Sequence, residues 1–164
     1  MLKERVENWT AALRSGDYQQ GKEYLRSDDC FCCLGVLADI VNDEQGEGIG
    51  VVRQSLSEQT LDSDFLPICG IRSSEGVIPG LLPPREMDPV HVPRANNALA
   101  LTNLNDGVWV THYELGYMRA KSKVIADFTD YEVDHSSKIY KGQVFIKLDF
   151  QQIADIIEEF GEVL

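Results

Sequence analysis

Leu2, Val6, Trp9 and Leu13 recur three and four positions apart. This is the spacing of one face of a helix, and it predicts an amphipathic helix over residues 2–15. Gly16 follows as a C-terminal stop. Residues 17–29 are polar and turn-rich. Asp28 or Asp29 then offers an N-cap for a second helix running through Phe31–Val41. That stretch is apolar nearly all round, the mark of a helix buried on most sides. A loop is predicted over residues 42–50, and two short strands between Val51 and Arg72. Residues 73–94 hold five of the six prolines and read as irregular. Ala95–Leu104 reads as a short helix.

The pattern then changes. Val108–Tyr113, Ser122–Val133 and Ile139–Leu148 are rich in β-branched and aromatic residues, which favour strands. Asp134–Ser137 supplies turn residues between the last two. A small antiparallel sheet is the expected product. The final helix is the clearest element. Asp149 and Gln152 fit a capping box, Leu148 and Ile153 fit a hydrophobic staple, and Phe150, Ile153, Ile156, Ile157 and Phe160 make one apolar face before Gly161. Together these elements predict a single α+β domain over residues 1–164. Its helical core combines the first, second and last helices with the 95–105 segment.

Composition narrows the function without fixing it. A chain of 164 residues can bury a sizeable core, so it needs no disulfide or metal to fold. The net charge of −12 opposes direct binding to nucleic-acid phosphates. Residues 27–164 carry ten basic and 23 acidic side chains, so nearly all the imbalance lies there. Such a field steers basic partner surfaces and keeps a protein in solution. It also admits a reading as an acidic mimic of nucleic acid, diluted by the 15 basic residues. No secretory leader and no apolar stretch of membrane-spanning length is evident, so a reducing, cytoplasmic setting with free thiols is expected.

Cys30, Cys32, Cys33 and Cys69 are the four cysteines. Near a helix start, Cys32 or Cys33 lies where a thiolate is favoured, and His112 or His135 could serve as its base in a hydrolase or transferase. No protease signature surrounds them, and buried cysteine commonly acts as a small hydrophobe. Zinc would need two spaced ligand pairs, of which only one half is present. No cofactor is therefore expected. Arg14 and Tyr18 near the end of the first helix, with Asn103, Asn105 and Asp106 further on, make a candidate shelf for a small polar ligand. Trp109, Tyr113, Tyr117 and Tyr131 are candidate aromatic anchors for a protein partner.

Three blocks of the chain also resemble a family of small uncharacterised proteins encoded by tailed phages and bacterial prophages. They are Trp9–Gln20 with Phe31–Asp39, Leu101–Asp106, and Phe150–Glu158, matching W-x-x-A-L-x-S-G-x-Y-x-Q, F-C-C-L-G-V-L-x-D, L-T-x-L-N-D and F-x-x-I-A-D-x-I-E. In the usual pattern the last two blocks are nearly adjacent. Here residues 107–148 separate them, so this segment reads as a strand-rich insertion that can be removed without unfolding the rest. The resemblance implies a non-enzymatic accessory protein in a bacterial host. It would engage a host protein or sequester a small host molecule, such as a nucleotide signal, in counter-defence.

Overall fold

The protein is described by a computed structural model covering residues 1–83, 99–136 and 140–164. Helix α1 (Lys3–Ser15) follows the predicted spacing and ends at Gly16, whose φ of 83° lies in the left-handed region. Helix α2 (Cys33–Gln45) is largely buried. Helix α7 (Phe150–Phe160) carries the predicted capping box, with Asp149 Oδ1 accepting from Gln152 N at 2.8 Å and Gln152 Oε1 accepting from Asp149 N at 3.0 Å. Helix α1 packs against both α2 and α7. The Trp9 indole is fully buried, and its Nε1 donates to the Cys33 carbonyl at 2.9 Å. This bond satisfies the one polar atom of a large apolar side chain inside the core. Helix α4 (Leu101–Asp106) touches both α2 and α7. The expected helical core is therefore present.

Gly161 does not end α7 through a left-handed turn, because its φ and ψ are right-handed helical. Its smallness matters instead. A Cβ there would lie 2.8 Å from Val6 Cγ2, so glycine lets α1 approach the end of α7.

The start of α2 differs from the expectation. Cys32, not Asp28 or Asp29, is the N-cap, and its Sγ accepts from Gly35 N at 3.3 Å. Asp28 and Asp29 instead turn a hairpin between β2 (Arg26–Ser27) and β3 (Cys30–Phe31), with Asp28 at a φ of 53°. Aspartate tolerates that conformation, so the same residue type serves a turn as readily as a cap. Strand β1 (Gln19–Gln20) pairs in parallel on the other edge of β3.

Residues 51–72 form no strand; their one regular element is the short helix α3 (Leu66–Cys69). The loop is held by side chains. Buried Asn42 on α2 gives and receives one backbone hydrogen bond with Gln54, each of 2.9 Å. An amide side chain thus supplies the pairing that a neighbouring strand would provide. The predicted irregular stretch contains β4 (Val77–Ile78), and most of its remainder lies outside the described residues, as do Ala95–Asn97 and Ala98 of the predicted 95–104 helix. Leu99–Ala100 is strand β5, antiparallel to β4, and the helix begins only at Leu101.

The 107–148 segment contains the expected antiparallel sheet, in the order β6 (Val108–Val110), β8 (Val144–Ile146), β7 (Glu132–Val133). It also contains two helices that the residue pattern concealed. Helix α5 (His112–Lys121) begins at a Thr111–Glu114 capping box, and α6 (Lys123–Asp127) is capped by Ser122. The strand-like runs 108–113 and 122–133 are thus cut short, because caps override a weak β preference. The connection from β7 to β8 is longer than Asp134–Ser137, closing with Asp134 N donating to the Gln143 carbonyl; Ser137 and Ile139 lie outside the described residues. Val110, Leu115, Met118, Ile125, Phe128, Val144 and Ile146 join the same buried cluster as Trp9 and Leu34.

Candidate functional site

Each candidate ligand residue has a partner within the fold. Arg14 reaches across from α1 to α7, where its guanidinium pairs with Asp155 and Glu158. These hydrogen bonds to carboxylates raise the Arg14 pKa and lower that of Glu158. Because the folded state depresses the Glu158 carboxyl, its contribution is complete above the ordinary carboxyl range and is lost as pH falls through the lower folded value. Both side chains are substantially solvated, so the pairs sit in the weak surface class. Arg14→Gln is expected to cost about 1 kcal/mol near neutral pH and less in acid or at high salt, measured by urea unfolding.

Tyr18 donates to Asp39 Oδ2 at 2.9 Å and sits edge-on to Phe31, at 5.0 Å between ring centroids. Burial and then the Asp39 carboxylate push its hydroxyl up to about 12. Asn103 Oδ1 accepts from Ala100 N and caps α4. Asn105 is fully buried; its Nδ2 donates to the Gly21 carbonyl at 2.8 Å and to Asp106 Oδ1 at 2.7 Å. Gln20 Nε2 bridges Asn105 Oδ1 and the Leu148 carbonyl. The structure therefore brings Asn105 and Asp106 together against the Gln20–Glu23 strip. Arg14 and Tyr18 are engaged separately, at the α7 and α2 seams.

Asp106 faces a cleft of about 220 Å³ lined by Glu23, Cys32, Gln59, Thr60, Glu75 and Thr102. Cys32, Thr102 and Asp106 come from the F-C-C-L-G and L-T-x-L-N-D blocks, which the fold thus joins at one place. Glu23, Gln59, Thr60 and Glu75 carry no sequence signal that marks them. Three carboxylates face this cleft, a field that opposes an anionic ligand.

Cys32, Cys33 and Cys69 are held as thiols. Burial pushes Cys32 up to about 11 and Cys69 up to about 12, and drives Cys33 well above its ordinary value. His112 is exposed at the first turn of α5 and His135 is exposed in the β7–β8 connection, whereas Cys32 and Cys33 are buried. His91 lies outside the described residues. Native alkylation with iodoacetamide, followed by peptide mass spectrometry, is expected to modify half-buried Cys30 before Cys32 or Cys33. Cys33→Ala is expected to cost roughly 1–2 kcal/mol, as a small core deletion. No group of three His, Cys, Asp or Glu side chains suited to a metal occurs among the described residues.

The candidate aromatic anchors divide. Trp109 is half-buried and stacks on Tyr140 at 5.2 Å, with Phe145 on its other contact. Tyr117 is half-buried under Lys121 Nζ, and Tyr131 lies under the Arg119 guanidinium at 5.4 Å. Tyr113 and Tyr131 keep more than a third of their surface exposed.

A larger hollow of about 520 Å³ lies between α6 and α7, bounded by Lys123, Val124, Asp127, Phe128, Gln152, Asp155, Glu158 and Glu159. Glu159 accepts from Ser122 Oγ and from Lys123 N, which ties the two helices together. Asp155 and Glu158 fall in the F-x-x-I-A-D-x-I-E block, but nothing in the sequence marks them or Glu159 as lining a hollow. The facing wall comes from α6, which the residue pattern read as strand.

The fold and these hollows define a small α+β domain with buried thiols and acidic surface clefts. The chain belongs to the family described as domain of unknown function DUF8296, whose model matches residues 1–160. No curated protein and no solved structure matches the chain. Among the described residues, no helix is long and apolar enough to cross a membrane.

Proposed function

We propose that this protein is a phage-encoded accessory factor that acts by binding a protein of its bacterial host, without turnover, in counter-defence. The observation that carries this reading is the hollow between α6 and α7, whose volume, apolar floor and charged rim suit a partner surface. The exposed rings of Tyr113 and Tyr131 add aromatic contact area of the kind enriched at interfaces. The thiols support it too, since buried groups held protonated make poor nucleophiles.

A second reading, capture of a small polar ligand, is favoured by the cleft at Cys32, Thr102 and Asp106. Its three carboxylates suit an amine or other cation rather than a nucleotide. A thermal-shift panel of polyamines and nucleotides separates the two, because a ligand bound to the folded state raises its stability. Under the host-protein reading neither class shifts the transition. A tagged chain retains one host protein from lysate, the complex re-forms from purified components, and Cys32→Ser leaves its affinity unchanged. Multiple turnover of a substrate, lost in Cys32→Ser, contradicts the proposal and restores the cysteine-dependent enzyme.

A further inference from the structure

We infer that the groove between α6 and α7 receives a basic amphipathic segment of the partner protein. This inference rests on the binding reading above and gives the partner's chemistry. Four carboxylates, those of Asp127, Asp155, Glu158 and Glu159, surround the hollow, against one ammonium on Lys123. Arg14 pairs with two of them from outside the lining, which leaves two negative charges on this rim. Glu159 is held by neutral donors, a hydroxyl and a backbone N–H, so its charge is oriented but not cancelled by them.

The floor is apolar. Val124 is half-buried and Phe128 is almost fully buried between these helices. A second hollow of about 300 Å³ touches Asp149 of the α7 capping box, where the first touches Gln152. Asp130, Glu132 and Asp149 line it beside Phe145, against one ammonium on Lys147. Both hollows place carboxylates beside apolar side chains. Lysine or arginine side chains meet the rim while aliphatic side chains between them cover the floor. A small cation would satisfy the rim alone, and a neutral apolar peptide the floor alone. Charge complementarity on this scale sets specificity and association rate, and it weakens with salt.

The test uses the full chain and a fluorescent synthetic peptide that alternates lysine with leucine, alongside a glutamate–leucine control and spermine. Anisotropy should rise with the Lys/Leu peptide alone, and the affinity should fall as salt is raised. The double variant Asp127→Lys, Asp130→Lys, with one carboxylate from the groove and one from the second hollow, should weaken binding by about tenfold or more. Glu47→Lys, on the exposed loop after α2, should change it by less than about twofold, which separates the groove from net charge. Circular dichroism of each variant checks folding, and chemical-shift changes confined to α6, α7 and β7 would place the peptide. Equal weakening by the loop and groove variants, or no binding of the Lys/Leu peptide, overturns the groove. If the purified host partner binds the double variant as tightly as wild type, the groove is wrong while host binding stands.

Discussion

Gly35→Ala should leave the chain without a stable fold. A Cβ at position 35 would lie 1.7 Å from the Leu25 carbonyl oxygen and 2.5 Å from its carbon. The obstacle is backbone, so no rotamer change relieves it. Leu25 is itself fixed, its carbonyl accepting from Cys32 N at 3.1 Å and its N–H donating to the Glu58 carbonyl at 2.7 Å. Moving it apart would break the junction between the Gln19–Phe31 sheet and α2. The expected loss exceeds about 4 kcal/mol, beyond ordinary overpacking, because main chain and not a side chain must give way. Urea unfolding followed by tryptophan fluorescence measures it. Gly116→Ala on α5 is the control: nothing lies within 4 Å of its added Cβ, and helix propensity predicts a gain of about 0.5–1 kcal/mol. Similar unfolding midpoints for the two variants would contradict the close packing at Gly35.

Removing residues 108–147 behind a short Gly/Ser link is expected to abolish cooperative unfolding. Sequence spacing makes this segment look dispensable, since loop closure alone costs little. Packing says otherwise. Val110, Met118, Ile125, Val144 and Ile146 have no exposed surface and belong to the common core. Each such side chain contributes about 1.5–3 kcal/mol by burial, so losing five is comparable to the whole stability of a typical domain. The deletion would also strip Ser122 from Glu159 and uncover the face of α7 that packs on α6. Differential scanning calorimetry checks this. A single sharp endotherm from the truncated chain would show that the segment is an appendage after all.

How far the sequence could be read depended on where the determining contacts lie. Helix α7 was legible to the residue, because its cap, staple and apolar stripe all lie within a dozen consecutive positions. Helix α1 was legible from its apolar stripe and Gly16. Helices α5 and α6 were not. Val108–Tyr113 has strand composition, and only the Thr111–Glu114 box, a local signal set inside that run, starts a helix there. The loop around Gln54 was opaque because its hydrogen bonds come from Asn42, twelve residues away. The partners of the candidate site residues were hidden for a related reason. Arg14 and Tyr18 have the chemistry of ligand-binding residues, but Asp155, Glu158 and Asp39 meet them first. Sequence composition cannot show which polar groups are already satisfied. Asp106 of the L-T-x-L-N-D block does face a cleft, but Glu23 and Glu75 beside it come from loops without a pattern.

The central claim is that the protein works through a binding surface and not through a thiol. The most direct test compares two variants against one purified host partner by isothermal titration calorimetry. Cys32→Ser removes the thiol beside Asp106, and Asp127→Lys with Asp130→Lys reverses one rim carboxylate in the groove and one in the neighbouring hollow. The account predicts wild-type affinity and stoichiometry for Cys32→Ser, and a loss of about tenfold or more for the groove variant. Binding or activity abolished by Cys32→Ser but kept by the groove variant would contradict it.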